Sequence, residues 1–545
     1  MTAELMPRSK AEHEDRRSRG VSTLVVLACV AGAILFYSTL LFGGSLHAFD
    51  WQSHHFNYFD WVRIALREFG TIPLFMNDAW VTKNFLANAE SPSLGPLVWL
   101  LLWVPTDVYL KLLIVLFTAA GLGGMLALLK DVGVSNTLAA PAAIAFAFGG
   151  FFVSHLSVGH PWAMGGLLLP GLLCLYRRAA LGSFGALWLA AAVNALTILG
   201  GQHQPFIWQN LVILLFAFAW ALRARSLFPL KRWALVVACT AGIGAVKLLP
   251  MLAEFADYDP TARVQGLPLG LAFSTLVTRG QHPGFLADGV RFDHGSGWWE
   301  YAFYIGPVAC LYLVAGVAAA RRCMGLLLIG CLFWLLAVEW PASFSWLDIW
   351  PWFEGLPILR TQRGPSRFMV LALFSLAVVA ALGMQRLWDL WGERRPRWAT
   401  PAVWVLALLV AGDLFVESLP WQRAALGAPL QSQDHRPKPT RLTGTHGAVA
   451  ELTEFEPNRL VYRAVAPRES RVKFPFRLKE GSREWRVDGL PAVSDQGKLA
   501  VDLPAGDREV VMIYRPEYFE VGAGTSAATL VALGIATAWR SRSRS

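Results

Sequence analysis

Apolar residues along this chain gather into long runs, and polar residues are confined to the stretches between them. The runs fall near 21–43, 107–130, 137–154, 161–176, 180–199, 204–222, 231–250, 299–320, 323–340, 367–387, 398–418 and 521–539. A helix needs about 20 apolar residues to cross the ~30 Å hydrocarbon core of a bilayer, where no backbone polar group can go unsatisfied. The pattern predicts a polytopic α-helical membrane protein of about twelve spans. A further apolar piece, 95–105, is too short to cross and ends at Pro105, so it reads as re-entrant or interfacial.

Two segments carry other periods. In 56–69, Phe59, Val62, Leu66 and Phe69 recur at helical spacing with Arg63 and Arg67 opposite them. This predicts an amphipathic helix lying flat at the outer membrane surface and ended by Gly70. The block 420–520 is polar and alternates, as in Arg459-Leu-Val-Tyr-Arg-Ala-Val and Lys498-Leu-Ala-Val-Asp-Leu, with turn signals at Asp488-Gly489 and Pro504-Ala505-Gly506. It reads as a small extracytoplasmic β-sandwich. The predicted organisation is a cytoplasmic tail 1–20, a transmembrane domain 21–419, the β-rich domain 420–520, and a last span with a basic tail, 521–545.

Composition agrees with a membrane protein: 55% of residues are hydrophobic, 16% are charged, and mean hydropathy is +0.43. The net charge of +10 is mainly an orientation signal. Arg8, Lys10, Arg16, Arg17 and Arg19 hold the N-terminal tail in the cytoplasm, and alternating from there places Lys130, Arg177/Arg178, Arg223/Arg225, Arg321/Arg322, Arg394/Arg395 and the C-terminal arginines inside as well. Both termini are therefore expected in the cytoplasm of a bacterial inner membrane protein. The basic residues sit in short inter-helix loops and not on one aromatic-lined face, which excludes nucleic acid as a partner. The first span is too long for a cleaved signal peptide. All six cysteines fall in or at the ends of spans, so no disulfide framework or thiolate metal site is expected.

The long segments all fall outward: 44–92, 251–298, 341–366 and the β block. Every histidine except His13 maps to that side, which puts any chemistry there. The stretch Phe49-Asp50-Trp51-Gln52-Ser53-His54-His55 follows the first span directly, and an acid beside a bilayer is a functional signal. Asp is also common as a helix cap or turn residue. A single carboxylate suits sugar transfer from a lipid phosphate: one acceptor hydroxyl must lose its proton, and the phosphate leaves as a stable anion. Arg360, Arg363 and Arg367 break the positive-inside bias at the outer start of a span, and their donor forks suit a phosphate or anionic lipid head groups. Lys247 could add a charge or snorkel. His155, His160 and His203 read as the lining of a polar cavity, with Glu300 beside them to pair with an Arg or orient a sugar hydroxyl, and with Gln52, His54 and His55 beside Asp50. Asp257-Tyr-Asp259 spells the DxD pattern of metal-dependent transferases, but two acids one residue apart often arise by chance. No cofactor is certain, and a divalent metal has only that weak support.

In order along the chain, Asp50…Gln52…Arg67…Gly70-Thr-Ile-Pro73-Leu-Phe, Asn88-Ala-Glu-Ser-Pro92, Gly159-His160, Glu300…Tyr304-Ile-Gly306, Arg363-Gly-Pro-Ser-Arg367-Phe, Trp485-Arg-Val-Asp488-Gly489 and Tyr514-Arg-Pro516 are similar to motifs of one family. The chain resembles the bacterial YfhO-like membrane proteins of the GT-C glycosyltransferase superfamily. Phe75 departs from the family's usual Trp, and Glu90 from a common Gln. The resemblance implies an inverting glycosyltransferase that uses a polyprenyl-phosphate-linked sugar and a cell-envelope acceptor, with the first-loop acid, Asp50, as base. Two other functions fit a polytopic chain. A flippase or transporter of lipid-linked sugars would spread polar residues through the full membrane depth. A non-catalytic assembly scaffold would tolerate loss of Asp50.

Overall fold

A computed structural model describes residues 23–48, 50–77, 82–256, 266–281, 297–320, 323–356, 359–362, 364–392, 396–432, 440–478 and 482–542. Its longer helices run in chain order as α1 (Thr23–Phe36), α2 (Phe56–Phe69), α3 (Thr106–Asp131), α4 (Asn136–Ala147), α5 (Gly150–Val158), α6 (Leu169–Ala180), α7 (Phe184–Leu199), α8 (His203–Ala224), α9 (Phe228–Ala256), α10 (Pro307–Ala319), α11 (Met324–Ala337), α12 (Met369–Trp391), α13 (Ala399–Ala424) and α14 (Phe519–Arg542). Among the described residues, seven helical stretches are long and apolar enough to cross a membrane: Thr106–Asp131, Asn136–Val158, His203–Ala224, Phe228–Phe255, Pro365–Trp391, Ala399–Ala424 and Phe519–Trp539. Four shorter apolar helices, α1, α7, α10 and α11, stand with them. The chain is a multi-pass membrane protein.

Several of the expected spans are interrupted, each for a local reason. The first run breaks at Tyr37. There Gln422 of α13 takes up the freed backbone groups, accepting from Leu40 N at 3.1 Å and donating to Phe36 O at 2.8 Å. The run 161–176 forms a 3₁₀ segment, Pro161–Leu168, and then α6. Pro161, Pro170 and the pair Gly165-Gly166 disfavour one continuous α-helix. The piece 95–105 is a 3₁₀ helix, Pro96–Leu102, whose Trp99 and Leu100 are exposed, as is Trp103 beyond it.

Helix α2 occupies the expected segment and ends at Gly70 in the left-handed conformation. Its apolar side is covered by protein instead of lying open on a membrane surface. Phe59 packs on Tyr109, Trp61 stacks on Phe455, and the Trp61 indole donates to Phe75 O at 2.9 Å. The Trp61 ring thus finds partners within the protein for both its apolar face and its polar tip.

A short hairpin follows, β1 (Phe75–Asn77) with β2 (Thr82–Asn84). The C-terminal region comprises β3 (Arg441–Thr443), β4 (Val449–Glu456), β5 (Arg459–Ala466), β6 (Ser470–Arg477), β7 (Trp485–Val487), β8 (Ala492–Asp495), β9 (Lys498–Leu503) and β10 (Gly506–Tyr514). All pairs are antiparallel, in a five-stranded sheet β7-β10-β5-β4-β3 and a three-stranded sheet β6-β9-β8. Alternation along the strands buries Tyr462, Phe474, Phe476, Trp485, Val501 and Met512 in a shared core.

The hairpin loop belongs to that core. Phe75 meets Trp485 and Tyr514 at ring distances of 5.2 and 5.4 Å, and Leu74 and Leu86 are buried with it. Asn458 grips the loop backbone in both directions, accepting from Leu74 N at 2.7 Å and donating to Ile72 O at 2.8 Å. The β region and the loop leading to Glu90 are thus one packed unit. Truncating a core Phe to Ala costs about 3–5 kcal/mol. Phe75→Ala should lower the thermal midpoint of the solubilised protein and open 71–91 to limited proteolysis; unchanged protection of that loop would contradict this packing.

Candidate active site

The site is seated where two loops pass over two glycines. Asp50 precedes a π-helical turn, Trp51–His55, a rare geometry often found at functional positions. Trp51 is buried and its indole donates to Leu156 O at 3.1 Å, which ties the turn to α5. Helix α5 ends at Gly159, φ +96, and a Cβ there would strike the backbone of Trp51 and Asp50. Only glycine allows both that backbone angle and that approach. Gly201, φ +80, plays the same part against the Glu90 carbonyl.

The Asp50 carboxylate does not cap its own helix. Oδ1 accepts from Ser53 Oγ at 3.1 Å, and Oδ2 accepts from His160 Nε2 at 2.8 Å. His160 Nδ1 in turn lies 2.8 Å from His155 Nδ1. The Asp50 side chain remains 41% exposed while His160 is almost covered, so the carboxylate is held from behind and open in front. Partial burial pushes the Asp50 carboxyl up, but the His160 hydrogen bond and the attraction of the His160 and His55 imidazoles outweigh it and hold the group at about 2. It is ionised at any physiological pH.

Behind this pair lies a buried ion pair. Arg367 Nε donates to Glu300 Oε2 at 2.8 Å, Nη2 donates to Glu300 Oε1, and Nη1 donates to Gln204 Oε1 at 2.7 Å. The guanidinium also sits 4.6 Å over the Trp162 ring, which stacks beside His160. Arg367 was expected to hold a lipid phosphate. In this arrangement its donor fork faces Glu300 and Gln204, and phosphate binding would require that pair to open.

Glu90 faces the same group of charges from the other loop. Its side chain is 34% exposed and lies 3.8 Å from His55 Nε2. Burial would raise its carboxyl, and the charges of His55, His203, His160 and Arg367 bring it below the usual range. Lys247 is fully buried, interacts with Glu90, and donates to Ser91 O. His203 is buried at the start of α8. Gln52 and His54 are exposed on the π turn, whereas His55 is buried. Arg363, the Arg360 side chain, Asp257 and Asp259 lie outside the described residues.

The structure therefore brings Asp50, His160, His55, Glu300, Arg367, His203 and Lys247 into one polar cluster. Sequence reasoning missed Glu90 as a site residue, and read His155 only as polar cavity lining beside His160. It also left Asp50 without a partner, naming His54 or His55 beside it; the partner is His160, 110 positions away. The one available signal was Gly159-His160 itself, a glycine directly before a histidine at a helix end. His155, His160 and Glu300 offer ligand atoms within 4.8 Å of one another. The fit to a divalent metal is poor, since both Glu300 oxygens already serve Arg367 and a dication would sit beside that guanidinium.

The Glu300–Arg367 pair gives a double-mutant test. Glu300→Gln or Arg367→Met alone leaves a buried charge uncompensated and should cost about 3–5 kcal/mol, while the double variant should recover most of that loss. Additive losses, measured by thermal unfolding in detergent, would contradict the pairing. His55 gives a pH test. Burial presses its imidazole down to about 4 from an ordinary 6.5, despite the nearby Glu90 and Asp50. The unfolded chain binds the extra proton first, so stability is full above pH 6.5 and falls toward pH 4, by on the order of 3 kcal/mol. His55→Phe should make the thermal midpoint less sensitive to pH across that window; an unchanged slope would contradict the assignment.

No protein-family model matches the chain, and no curated protein matches it. Among solved structures, it is similar to the arabinofuranosyltransferase AftD from Mycobacteria, seen by single-particle cryo-EM, at 16% identity and a TM-score of 0.45. The match covers 75% of this chain and 27% of AftD, so the chain spans about a quarter of that protein's length.

Proposed function

We propose that this protein is a GT-C-type membrane glycosyltransferase that moves a sugar from a polyprenyl-phosphate carrier to a cell-envelope glycan, lipid or protein acceptor. The proposed topology has twelve spans, both termini in the cytoplasm, and the site on the external face of a bacterial inner membrane. One observation carries the reading: a half-exposed carboxylate, Asp50, is fixed by His160 and Ser53 at the end of an apolar helical bundle and is not engaged as a helix cap. The resemblance of its ordered motifs to the YfhO-like family points the same way.

In the reaction, an acceptor hydroxyl attacks the anomeric carbon from the face opposite the phosphate. The new C–O bond forms, the bond to phosphate breaks, and configuration inverts. The hydroxyl proton passes to Asp50, and the phosphate leaves as an anion. A carboxylate held at about 2 is a weak base. Proton transfer is therefore late, after bond formation has made the hydroxyl acidic, and Asp50 serves first to orient the attacking oxygen. Arg360 and Arg363 are the cations proposed to face the phosphate, with Lys247 behind Ser91. The β region, packed on the Glu90 loop, would cover the site or hold the acceptor.

Wild-type protein in nanodiscs, supplied with polyprenyl-phosphate sugars and envelope acceptors, should transfer sugar with inversion. Asp50→Asn should lose about 10²–10⁴-fold in kcat while keeping its thermal midpoint within a few degrees. Full transfer by Asp50→Asn would remove Asp50 as the base. No transfer by wild type with any donor, together with lipid scrambling in vesicles, would replace the enzyme with a transporter.

A further inference from the structure

We infer that His155 is a positioning residue: its Nδ1–H donates to His160 Nδ1 and so confines the His160 proton to Nε2, aimed at Asp50. The inference rests on the reading of Asp50 as the reacting carboxylate, and concerns how that carboxylate is held.

The hydrogen bonds leave two arrangements. An ionised carboxylate only accepts, so His160 Nε2, 2.8 Å from Asp50 Oδ2, carries a hydrogen. Between the two Nδ1 atoms, 2.8 Å apart, one donates and the other accepts. If His160 donated there too, His155 would have to carry its hydrogen on Nε2. That atom is fully buried with no hydrogen-bond partner among the described residues. Either way His155 Nε2 is left unmatched, at about 1–3 kcal/mol. A His160 that donated from both nitrogens would in addition be an imidazolium, a second cation against the Trp162 ring that the Arg367 guanidinium already covers at 4.6 Å. His155 therefore carries its hydrogen on Nδ1 and gives it to His160.

The surroundings hold this direction. His155 projects from α5, wedged against Phe151 at a ring distance of 4.4 Å and against Trp162 at 5.0 Å, so its ring has no room to turn over. The charged and titratable groups around the chain are Asp50 and His55 from the π turn, Glu90 from its loop, and Glu300 and Arg367 behind. Glu300 is matched by Arg367, and Lys247 stands against Glu90. Asp50, open to solvent, is left as the acid whose orientation depends on a histidine tautomer. A proton taken from an acceptor leaves directly through the exposed face of Asp50. His155 does not conduct it, and acts only by fixing which nitrogen of His160 is protonated.

The test uses full-length protein in nanodiscs with ¹⁵N-labelled histidine, the His160 signal being identified by its loss in His160→Asn. Wild type should show His160 protonated at Nε2 with a bare, accepting Nδ1. His155→Phe should mix the two tautomers, and His155→Asn, whose amide N–H replaces the Nδ1 donor, should restore the wild-type state. Kinetically, His155→Phe should lower kcat by about tenfold or more with the donor KM unchanged. His155→Asn should restore kcat together with the tautomer. Wild-type His160 protonated at Nδ1, an unmoved tautomer and kcat in His155→Phe, or an equimolar metal that co-purifies and is lost in His155→Phe would each overturn the inference. The expected tautomers in a protein that transfers no sugar would uphold the positioning and overturn the transferase reading instead.

Discussion

The site depends on charge being matched inside an apolar bundle. Arg367 is the central match. It binds Glu300 through two donors and Gln204 through a third, and lies over Trp162, so a single side chain joins the start of α8, the segment before α10, the entry to α12 and the 3₁₀ segment after His160. Each of these elements also delivers a site residue or packs on one. A guanidinium suits this role because its planar fork makes several directed bonds at once and its face still stacks on an aromatic ring. With Glu300 neutralised there, the exposed carboxylate of Asp50 is free to act without a second bare acid behind it.

The same logic explains how distant parts of the chain are coupled. The loop 71–91 has one end in the β-region core, through Phe75, and the other at the site, through Glu90. Asn84 reinforces the first end by donating to Glu484 at 2.9 Å. Lys247 reinforces the second by reaching from α9 to Ser91 O. The β region is therefore not an appendage on a linker. Its core includes the base of a loop that lines the reacting groups, so whatever binds its surface acts on a structure continuous with the site.

Much of the architecture was legible because it follows from composition and period. The apolar runs, the helix over 56–69 with its stop at Gly70, and the strands after 440 all come from local pattern. The interruptions did not, because each depends on a distant partner: Tyr37 breaks a helix where Gln422 can satisfy the loose backbone, and α2 is covered by Phe455 and Tyr109 instead of lying open on a membrane surface. The site was half legible for the same reason. Asp50, His160, Glu300 and Arg367 stood out as costly residues near a bilayer. That Asp50 pairs with His160, and that Arg367 faces a carboxylate, are facts of tertiary approach that no spacing encodes. His155 was legible only as cavity lining and Glu90 was passed over, because a histidine in an apolar run and a lone acid in a loop carry no pattern that shows their partners.

The most direct measurement is the position of a bound donor analogue. A structure of this protein with a non-hydrolysable polyprenyl-phosphonate sugar should place the anomeric carbon in front of the exposed face of Asp50, with space between them for one hydroxyl and the phosphonate on the far side of the sugar. A sugar ring seated away from Asp50, or a phosphonate lying against its carboxylate, would contradict the assignment of Asp50 as the base.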